Sequence, residues 1–378
     1  MSAAMRRILL LGAAVALPLV SASSPALQGS DRVQITQVDS SAFPRVTVYL
    51  SVTDADGEPT MIDPSRIVLT ENGNLVTPDD VQATGGGEPL TTLLVIDVSG
   101  SMRKEGKLEG AEQAALAYVA LMQPGDQIGL LAFNTEVQQV QSVTGDKAAM
   151  ERAIRSLKAD GDTAMYDAVY EAVGLLEGTH GRKAILVLTD GMDNRSLYTA
   201  AQVTERIGPG GLSISTIGLG DVAKLGTGLE GLDEGALTYL AGQAGGRYAF
   251  AGDANALKAV YEKQARVLHS EYVLTYTSAE PLRDGVNRSL SVTLSGAVGA
   301  AAGTGTYNPG GLVPEVAQGN TWLLFNVLLA ALVVLLVTPG IVRGLRARGP
   351  HLGSTARSPK HPRVRLDQQP KNPRVRLR

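Results

Sequence analysis

The sequence predicts an α/β protein in which a doubly wound, mostly parallel sheet is inserted in or flanked by a β-sandwich, with one C-terminal transmembrane helix. Three observations predict this class. Continuous apolar runs, such as 93–96 and 184–188, alternate with helical periodicity through the centre of the chain. Strictly alternating segments lie on both sides of that centre. Residues 322–342 are almost wholly apolar.

The N-terminal segment 1–26 has the composition of an export signal. Arg6 and Arg7 precede the apolar stretch 8–20, and small residues between 21 and 26 suit cleavage. The arginine pair also fits a twin-arginine signal, but the surrounding pattern favours ordinary secretion. We therefore expect the domains that follow to lie outside the cytoplasm.

Two β-rich segments, 31–87 and 270–308, flank the centre. Residues 45–53 alternate between apolar and polar side chains, and so do residues 272–276 and 289–295. Neither segment could readily build a core alone, so we expect the two to pair into one β-sandwich. Two separate small β-units are the alternative.

The central segment 88–269 is predicted to alternate strands and helices. Its first helix is indicated by Leu108, Ala111, Ala115 and Tyr118, which recur at helical spacing. The further elements predicted from apolar spacing are strand 128–133, helix 147–157, helix 164–176, strand 184–188, strand 214–219, helix 234–244 and helix 256–268. In a doubly wound sheet such apolar stripes form the core, so we assign them no cofactor.

The segment that follows is predicted to lead into the membrane. The glycine-rich run 296–311 is expected to be flexible, and residues 309–321 to form a stalk. Residues 322–342 would span about 30 Å as a helix, the thickness of one bilayer core. This run has no charged residue, and Trp322 stands where an interfacial aromatic is expected. A buried helix of a soluble domain is the alternative.

Charge divides the chain into an acidic exported part and a basic tail. Residues 343–378 hold 11 Lys and Arg against the single acid Asp367, whereas the region between signal and tail holds 21 basic and 36 acidic residues. The positive excess beside the apolar span predicts a cytoplasmic tail on a single-pass cell-membrane protein. The tail is suited to anionic lipid or a cytoplasmic partner. It has no aromatic residue for base stacking, which disfavours nucleic-acid binding.

Five oxygen-bearing side chains form a candidate metal site. Asp97, Ser99 and Ser101 follow the apolar run 93–96, and Asp190 follows the run 184–188 in the same way; Thr163 lies between these pieces. Ligand crevices of open α/β sheets lie outside the carboxyl ends of the strands, so the two acids are expected to converge. Hydroxyl and carboxylate oxygens favour Mg²⁺ or Mn²⁺. Thiolate sites are excluded because the chain has no cysteine.

This pattern resembles the von Willebrand factor type A (VWA) family, whose metal-ion-dependent adhesion site has Asp-x-Ser-x-Ser, a distant Thr and a distant Asp. The resemblance covers residues 88–269 and implies a Rossmann-like fold. It also implies that the hydroxyls of Ser99, Ser101 and Thr163 contact the ion. Asp97 and Asp190 would bind it directly or through water, and the ion would accept a carboxylate from a protein ligand.

A structural role is the alternative for each of these residues. Asp97 and Asp190 could cap turns, and the two serines could bond the backbone. Further polar residues are expected near the rim, where a turn or helix cap is the favoured interpretation over metal binding: Asp162, Asp167, Asp193, Asn194 and Asp221.

Enzymatic activity is disfavoured. Of four histidines, only His180 and His269 lie in the exported part, and neither neighbours a nucleophile motif. The leading hypothesis is a membrane-anchored adhesin or receptor. The alternative is an envelope scaffold or assembly factor that resembles Bat-type bacterial VWA proteins, which are associated with cytoplasmic AAA-type ATPases. A metal-dependent hydrolase is a third, weaker hypothesis, because no general base is evident beside the ligands.

Overall fold

A computed structural model describes residues 31–83, 89–208, 210–220, 231–295, 302–311 and 325–336. The predicted signal segment 1–26 and the predicted tail 343–378 lie outside the described residues, as does most of the predicted stalk 309–321.

The strands and helices below follow chain order. The strands are β1 (Arg32–Asp39), β2 (Arg45–Thr53), β3 (Ile67–Glu71), β4 (Asn74–Val76), β5 (Asp80–Ala83), β6 (Leu90–Asp97), β7 (Gln127–Phe133), β8 (Val137–Thr144), β9 (Arg182–Thr189), β10 (Ser213–Leu219), β11 (Gly245–Ala251), β12 (Tyr272–Thr277), β13 (Arg288–Leu294) and β14 (Gly303–Tyr307). The helices are α1 (Lys107–Ala120), α2 (Lys147–Ile154), α3 (Met165–Leu175), α4 (Ala200–Glu205), α5 (Glu234–Gln243) and α6 (Ala254–His269).

A six-stranded sheet with order β11-β10-β9-β6-β7-β8 forms the centre, and only β8 runs antiparallel to its neighbour. Strands β6, β9 and β10 are buried along their whole length, and the apolar runs 93–96 and 184–188 lie within β6 and β9. Helices α1, α2 and α6 pack on one face, and α3, α4 and α5 pack on the other. The predicted doubly wound, mostly parallel α/β fold is confirmed.

Several of these helices begin at a residue that caps their first turn. Asp146 accepts hydrogen bonds from the backbone N–H groups of Ala148 and Ala149, and Asp253 caps α6 in the same manner. Thr199 and Gln202 form a reciprocal capping box at α4. These short polar side chains satisfy amide groups that have no partner within the helix, so they fix where each helix starts.

The two flanks of the chain share one β-sandwich. Its first sheet has the order β1-β2-β12-β5 and its second the order β14-β13-β3-β4, so each contains strands from before and after the central domain. Apolar side chains from both sheets, such as Leu50, Leu69 and Leu274, are fully buried in one cluster between them. The chain leaves the sandwich after β5 and re-enters at β12, and these two strands pair with each other.

Part of the run 296–311, which was predicted to be flexible, is a strand that lies within the predicted β-rich segment 270–308. The run 296–311 contains β14, which pairs with β13 along five residue positions. A Cβ atom at Gly303 would lie 3.0 Å from the carbonyl oxygen of Val33, and one at Gly305 would lie 3.2 Å from the Ile35 side chain. The glycines are required for close packing against β1, so composition alone wrongly predicted flexibility.

Residues 325–336 form a helix in a second unit of the chain, which spans 316–378. Its side chains are exposed, and its large ones are apolar. Within the described residues, no helix has the length and apolarity needed to cross a membrane. The predicted span 322–342 extends beyond this helix at both ends, into residues outside the described part of the chain.

Candidate metal site of the central domain

The two acidic residues of the predicted site follow neighbouring strands. Strands β6 and β9 run parallel, with Ile96 opposite Leu188, so Asp97 and Asp190 reach the same edge of the sheet. Both residues are buried. The expected convergence at the carboxyl ends of the strands is therefore present in the structure.

Asp97 is held from two sides. Its Oδ1 accepts a hydrogen bond from the backbone N–H of Ser99 at 2.7 Å, and its Oδ2 accepts one from the hydroxyl of Thr189 at 2.6 Å. Burial, together with the nearby negative charge of Asp190, raises the pKa of Asp97 to about 6 in spite of these bonds. Two carboxylates so close together in a buried place favour a bound cation.

The two serines bring their hydroxyls together beside these acids. Ser99 Oγ and Ser101 Oγ are 3.0 Å apart, and Ser101 Oγ donates to Asp190 Oδ1 at 2.6 Å. The loop that carries them is tied down by a hydrogen bond from the Gly100 N–H to the Gly161 carbonyl oxygen at 2.9 Å. The hydroxyls and the Asp190 carboxylate therefore form one connected set of oxygens.

Thr163 is placed next to the segment that follows Asp190. The Asn194 side chain accepts a hydrogen bond from the Thr163 N–H at 3.1 Å, and the Asn194 N–H donates to the Thr163 carbonyl oxygen at 3.0 Å. The Thr163 hydroxyl also lies close to Gly191, since a Cβ atom added at Gly191 would be 3.9 Å from Thr163 Oγ1. All five residues predicted from the sequence thus lie in one place.

Two residues at this place were not predicted as part of the site. Thr189 orients Asp97, as described above. Lys107, the first residue of α1, donates from Nζ to Asp190 Oδ2 at 2.6 Å. No sequence signal marked Lys107, because it lies on a loop-to-helix junction ten residues after Asp97 and far from Asp190 in the chain. Thr189 was visible in the sequence only as the residue before Asp190.

The predicted rim residues position loops. Asp193 accepts from the Tyr166 N–H at 3.1 Å near the start of α3, and Asp167 accepts from the N–H groups of Leu197 and Tyr198. Asp162 pairs with Arg195 at 2.7 Å. Asp193 thus bonds the first turn of α3, and Asp167, which lies on α3, holds the loop at 197–198; Asp221 lies outside the described residues, and the preference for these roles over metal binding stays a prediction.

The geometry of the serines fits a small octahedral cation. Two oxygens that bind one Mg²⁺ at about 2.1 Å in neighbouring positions lie about 3.0 Å from each other. Ser99 Oγ and Ser101 Oγ are separated by 3.0 Å. Among the residues that the structure describes, no three His, Asp or Glu side chains form a group able to hold a metal, so any ion here depends on hydroxyl oxygens.

Residues 92–192 match the model of the von Willebrand factor type A domain family. That range includes all five predicted ligands and Lys107. The match covers the part of the central α/β domain that holds the candidate site.

One curated protein is similar to part of this chain. A curated protein named UPF0353 protein, from Mycolicibacterium paratuberculosis, is 29% identical over 148 residues, which cover 34% of this chain and 44% of that protein. This chain therefore matches less than half the length of that relative.

Two solved structures are similar in fold. A von Willebrand factor type A protein from Catenulispora acidiphila has a TM-score of 0.43 at 15% sequence identity. The match covers 75% of this chain and 74% of that protein's chain. Proximal thread matrix protein 1 of the mussel byssus, described with a zinc-occupied MIDAS motif, has a TM-score of 0.44 at 17% identity. The match covers 52% of this chain and 49% of that one.

Proposed function

We propose that this chain is a membrane-anchored, extracytoplasmic VWA protein that binds a protein ligand through a divalent cation. Asp97, Ser99, Ser101, Thr163 and Asp190 would hold Mg²⁺ or Mn²⁺. A Glu or Asp carboxylate of the ligand would complete the coordination of the ion. The protein would act as an adhesin or receptor.

One observation carries this proposal: the Ser99 and Ser101 hydroxyls are 3.0 Å apart and are linked to the buried Asp190 carboxylate at 2.6 Å. A purely structural role for two turn serines would be met by bonds to the backbone. Here Ser101 instead bonds a carboxylate that arrives from another strand. Such a cluster of hard oxygens is suited to a hard divalent ion.

When bound, the ion would supply a positively charged centre with an open position for an outside carboxylate. The chain's own residues set how positive that centre is. Hydroxyl ligands are neutral, so Ser99, Ser101 and Thr163 offset none of the ion's charge. Asp97 is fixed by Thr189 and by the Ser99 N–H, so its carboxylate is already oriented before an ion binds.

The position of the histidines supports recognition over catalysis. His269 bonds Asp126 at 2.8 Å, and Asp126 also accepts from the N–H of Leu90 at the beginning of β6. His180 lies just before the beginning of β9. Both are therefore at the edge of the sheet opposite to Asp97 and Asp190. Proton transfer by histidine at the metal site is not part of the proposal.

The cellular placement is proposed from the sequence. The export signal 1–26, the apolar span 322–342 and the basic tail 343–378 support a cell-membrane protein with one span and its VWA domain outside. The tail would face anionic lipid or a cytoplasmic partner.

The test is a crosslinked pull-down with membrane-embedded full-length protein in Mg²⁺ and in EDTA. Ser99→Ala removes one proposed ligand, and Ser142→Ala, an exposed serine on β8, serves as the matched control. We expect an exported partner that is lost in EDTA and with Ser99→Ala but kept with Ser142→Ala. A partner kept under all conditions would overturn metal-mediated recognition. If that partner is cytosolic, the scaffold alternative takes its place.

A further inference from the structure

Lys107 places a fixed positive charge in the candidate metal site. Its Nζ lies 2.6 Å from Asp190 Oδ2, while Ser101 occupies the other oxygen of the same carboxylate. The Lys107 side chain is 19% exposed and that of Asp190 is fully buried. The inference developed from this contact rests on the proposed function of the site.

The local structure is built to bring this lysine to Asp190. Glu105 and Gly106 both adopt left-handed backbone conformations, with φ of 58° and 67°, and reverse the chain just before α1. Lys107 is then the first residue of the helix, where the helix dipole disfavours a cation. The helix gains nothing from a positive charge at this end. The favourable partner of the ammonium group is the Asp190 carboxylate.

The charge balance shows what the lysine changes. Two carboxylates without it would give the site a charge of −2, which a divalent ion would cancel. With Lys107 present the carboxylates and the ammonium sum to −1, so the ion-loaded site keeps one net positive charge. A buried positive excess attracts an outside carboxylate more strongly than a neutral site does.

We propose that Lys107 is a positioning residue that weakens cation binding and strengthens carboxylate capture at the VWA site. It holds Oδ2 of Asp190 away from the ion and leaves Oδ1 to the Ser101 hydroxyl. It also supplies the charge that a fully neutralised site would lack. If the ion pair served only to hold α1 near the end of β9, its removal would change the stability of the protein. It would not shift the affinities for the cation and for the carboxylate in opposite directions.

The experiment measures both affinities in the detergent-solubilised full-length protein. Mn²⁺ binding is followed by its electron paramagnetic resonance signal, and acetate is then titrated onto the Mn²⁺-loaded protein. Lys107→Met and Lys107→Gln remove the charge with side chains that favour helix, and Lys107→Arg keeps it. Lys104→Met, at an exposed lysine just before the turn, is the matched control.

We expect both neutral variants to bind Mn²⁺ at least about tenfold more tightly and acetate at least about tenfold more weakly, because a unit charge a few ångströms away in a partly buried site acts strongly on both ions. Lys107→Arg and Lys104→Met should stay within about threefold of wild type for both. Unchanged affinities, or two affinities that move in the same direction, would overturn the role of Lys107.

The same titrations separate this proposal from the function on which it rests. If the wild-type protein binds no Mn²⁺, or binds it as tightly after Ser99→Ala, the metal-site proposal fails and the Lys107 proposal fails with it. If wild type binds Mn²⁺ and Ser99→Ala does not, while the neutral Lys107 variants match wild type, only the Lys107 proposal is overturned.

Discussion

The guanidinium of Arg182 donates two hydrogen bonds to Oε2 of Glu271, from Nη2 at 2.8 Å and from Nε at 3.2 Å. Both side chains are only 3% exposed. Arg182 begins β9 of the central domain, and Glu271 directly precedes β12 of the sandwich. The pair therefore lies where the chain passes from one domain to the other.

Removing one member of this pair should destabilise the protein strongly. Arg182→Met leaves the Glu271 charge buried without its cation, which typically costs about 3–5 kcal/mol in free energy of unfolding. The double variant Arg182→Met/Glu271→Leu should recover most of that loss, because the buried charge is gone. Urea unfolding measures both. Arg195→Met, which breaks an exposed ion pair, should cost less than about 1 kcal/mol. A double variant no more stable than the single one would contradict this account.

Gly246 of β11 should not tolerate alanine. A Cβ atom there would lie 1.9 Å from the Ile214 carbonyl oxygen, inside the pairing of β10 with β11. We expect Gly246→Ala to lower the free energy of unfolding by about 1–3 kcal/mol or more. Gly242→Ala, in the preceding helix with no neighbour within 4 Å of the new atom, should instead stabilise by up to about 1 kcal/mol. Thermal unfolding of the two variants checks the opposite signs.

Asp126 should be needed for the stability of the central domain, at the edge of its sheet opposite to the candidate metal site. Its carboxylate accepts from the N–H groups of Leu90 and Gln123 at 3.0 and 2.7 Å and also bonds His269. Asp126→Ala leaves the buried Leu90 N–H without this acceptor, at about 1–3 kcal/mol. Asp56→Ala, in an exposed turn, should be close to neutral. If chemical unfolding showed that Asp126→Ala and Asp56→Ala lose the same free energy of unfolding, this role of Asp126 would be contradicted.

Divalent cations should raise the unfolding temperature of the protein, and this effect should depend on the hydroxyl group of Thr163. Binding to the folded state alone adds about 2.7 kcal/mol when the free ion is at 100 times its dissociation constant. Thr163→Val, which keeps the shape but removes the hydroxyl, should lose most of this gain, and Thr163→Ser should keep it. The measurement is calorimetric unfolding in Mn²⁺ and in EDTA. Equal stabilisation of wild type and Thr163→Val would mean that the ion binds elsewhere.

The sequence predicted the strands that position the site because those strands are buried on both faces. The apolar runs within β6 and β9 arise for that reason; Asp97 is the last residue of β6, and Asp190 directly follows β9. Strand β8 escaped prediction because it is a polar edge strand, half-buried at best along its length. Strand β14 was hidden by glycines whose purpose is close packing.

Within the site, the sequence predicted the residues that are close together in the chain. It did not predict the individual contacts between residues that are far apart in the chain. Asp97, Ser99 and Ser101 lie within five consecutive residues at the end of β6, so the family resemblance was enough to predict that they lie together. The contact between Lys107 and Asp190 joins residues 83 positions apart and depends on the left-handed turn at Glu105 and Gly106. Left-handed glutamate has no distinctive sequence signature, so only the structure reveals that contact.

The nesting of one domain inside another sets the order in which the two can be completed during synthesis. Ser291 of β13 pairs with Thr70 of β3, 221 positions earlier, so both sheets of the sandwich lack strands until the last flank has been made. The central domain needs only the continuous stretch 90–269. Once it has folded, its two ends hold β5 and β12 near each other. The loop that must close before β5 and β12 can pair is then much shorter in effect. The folded central domain therefore assists the assembly of the sandwich into which it is inserted.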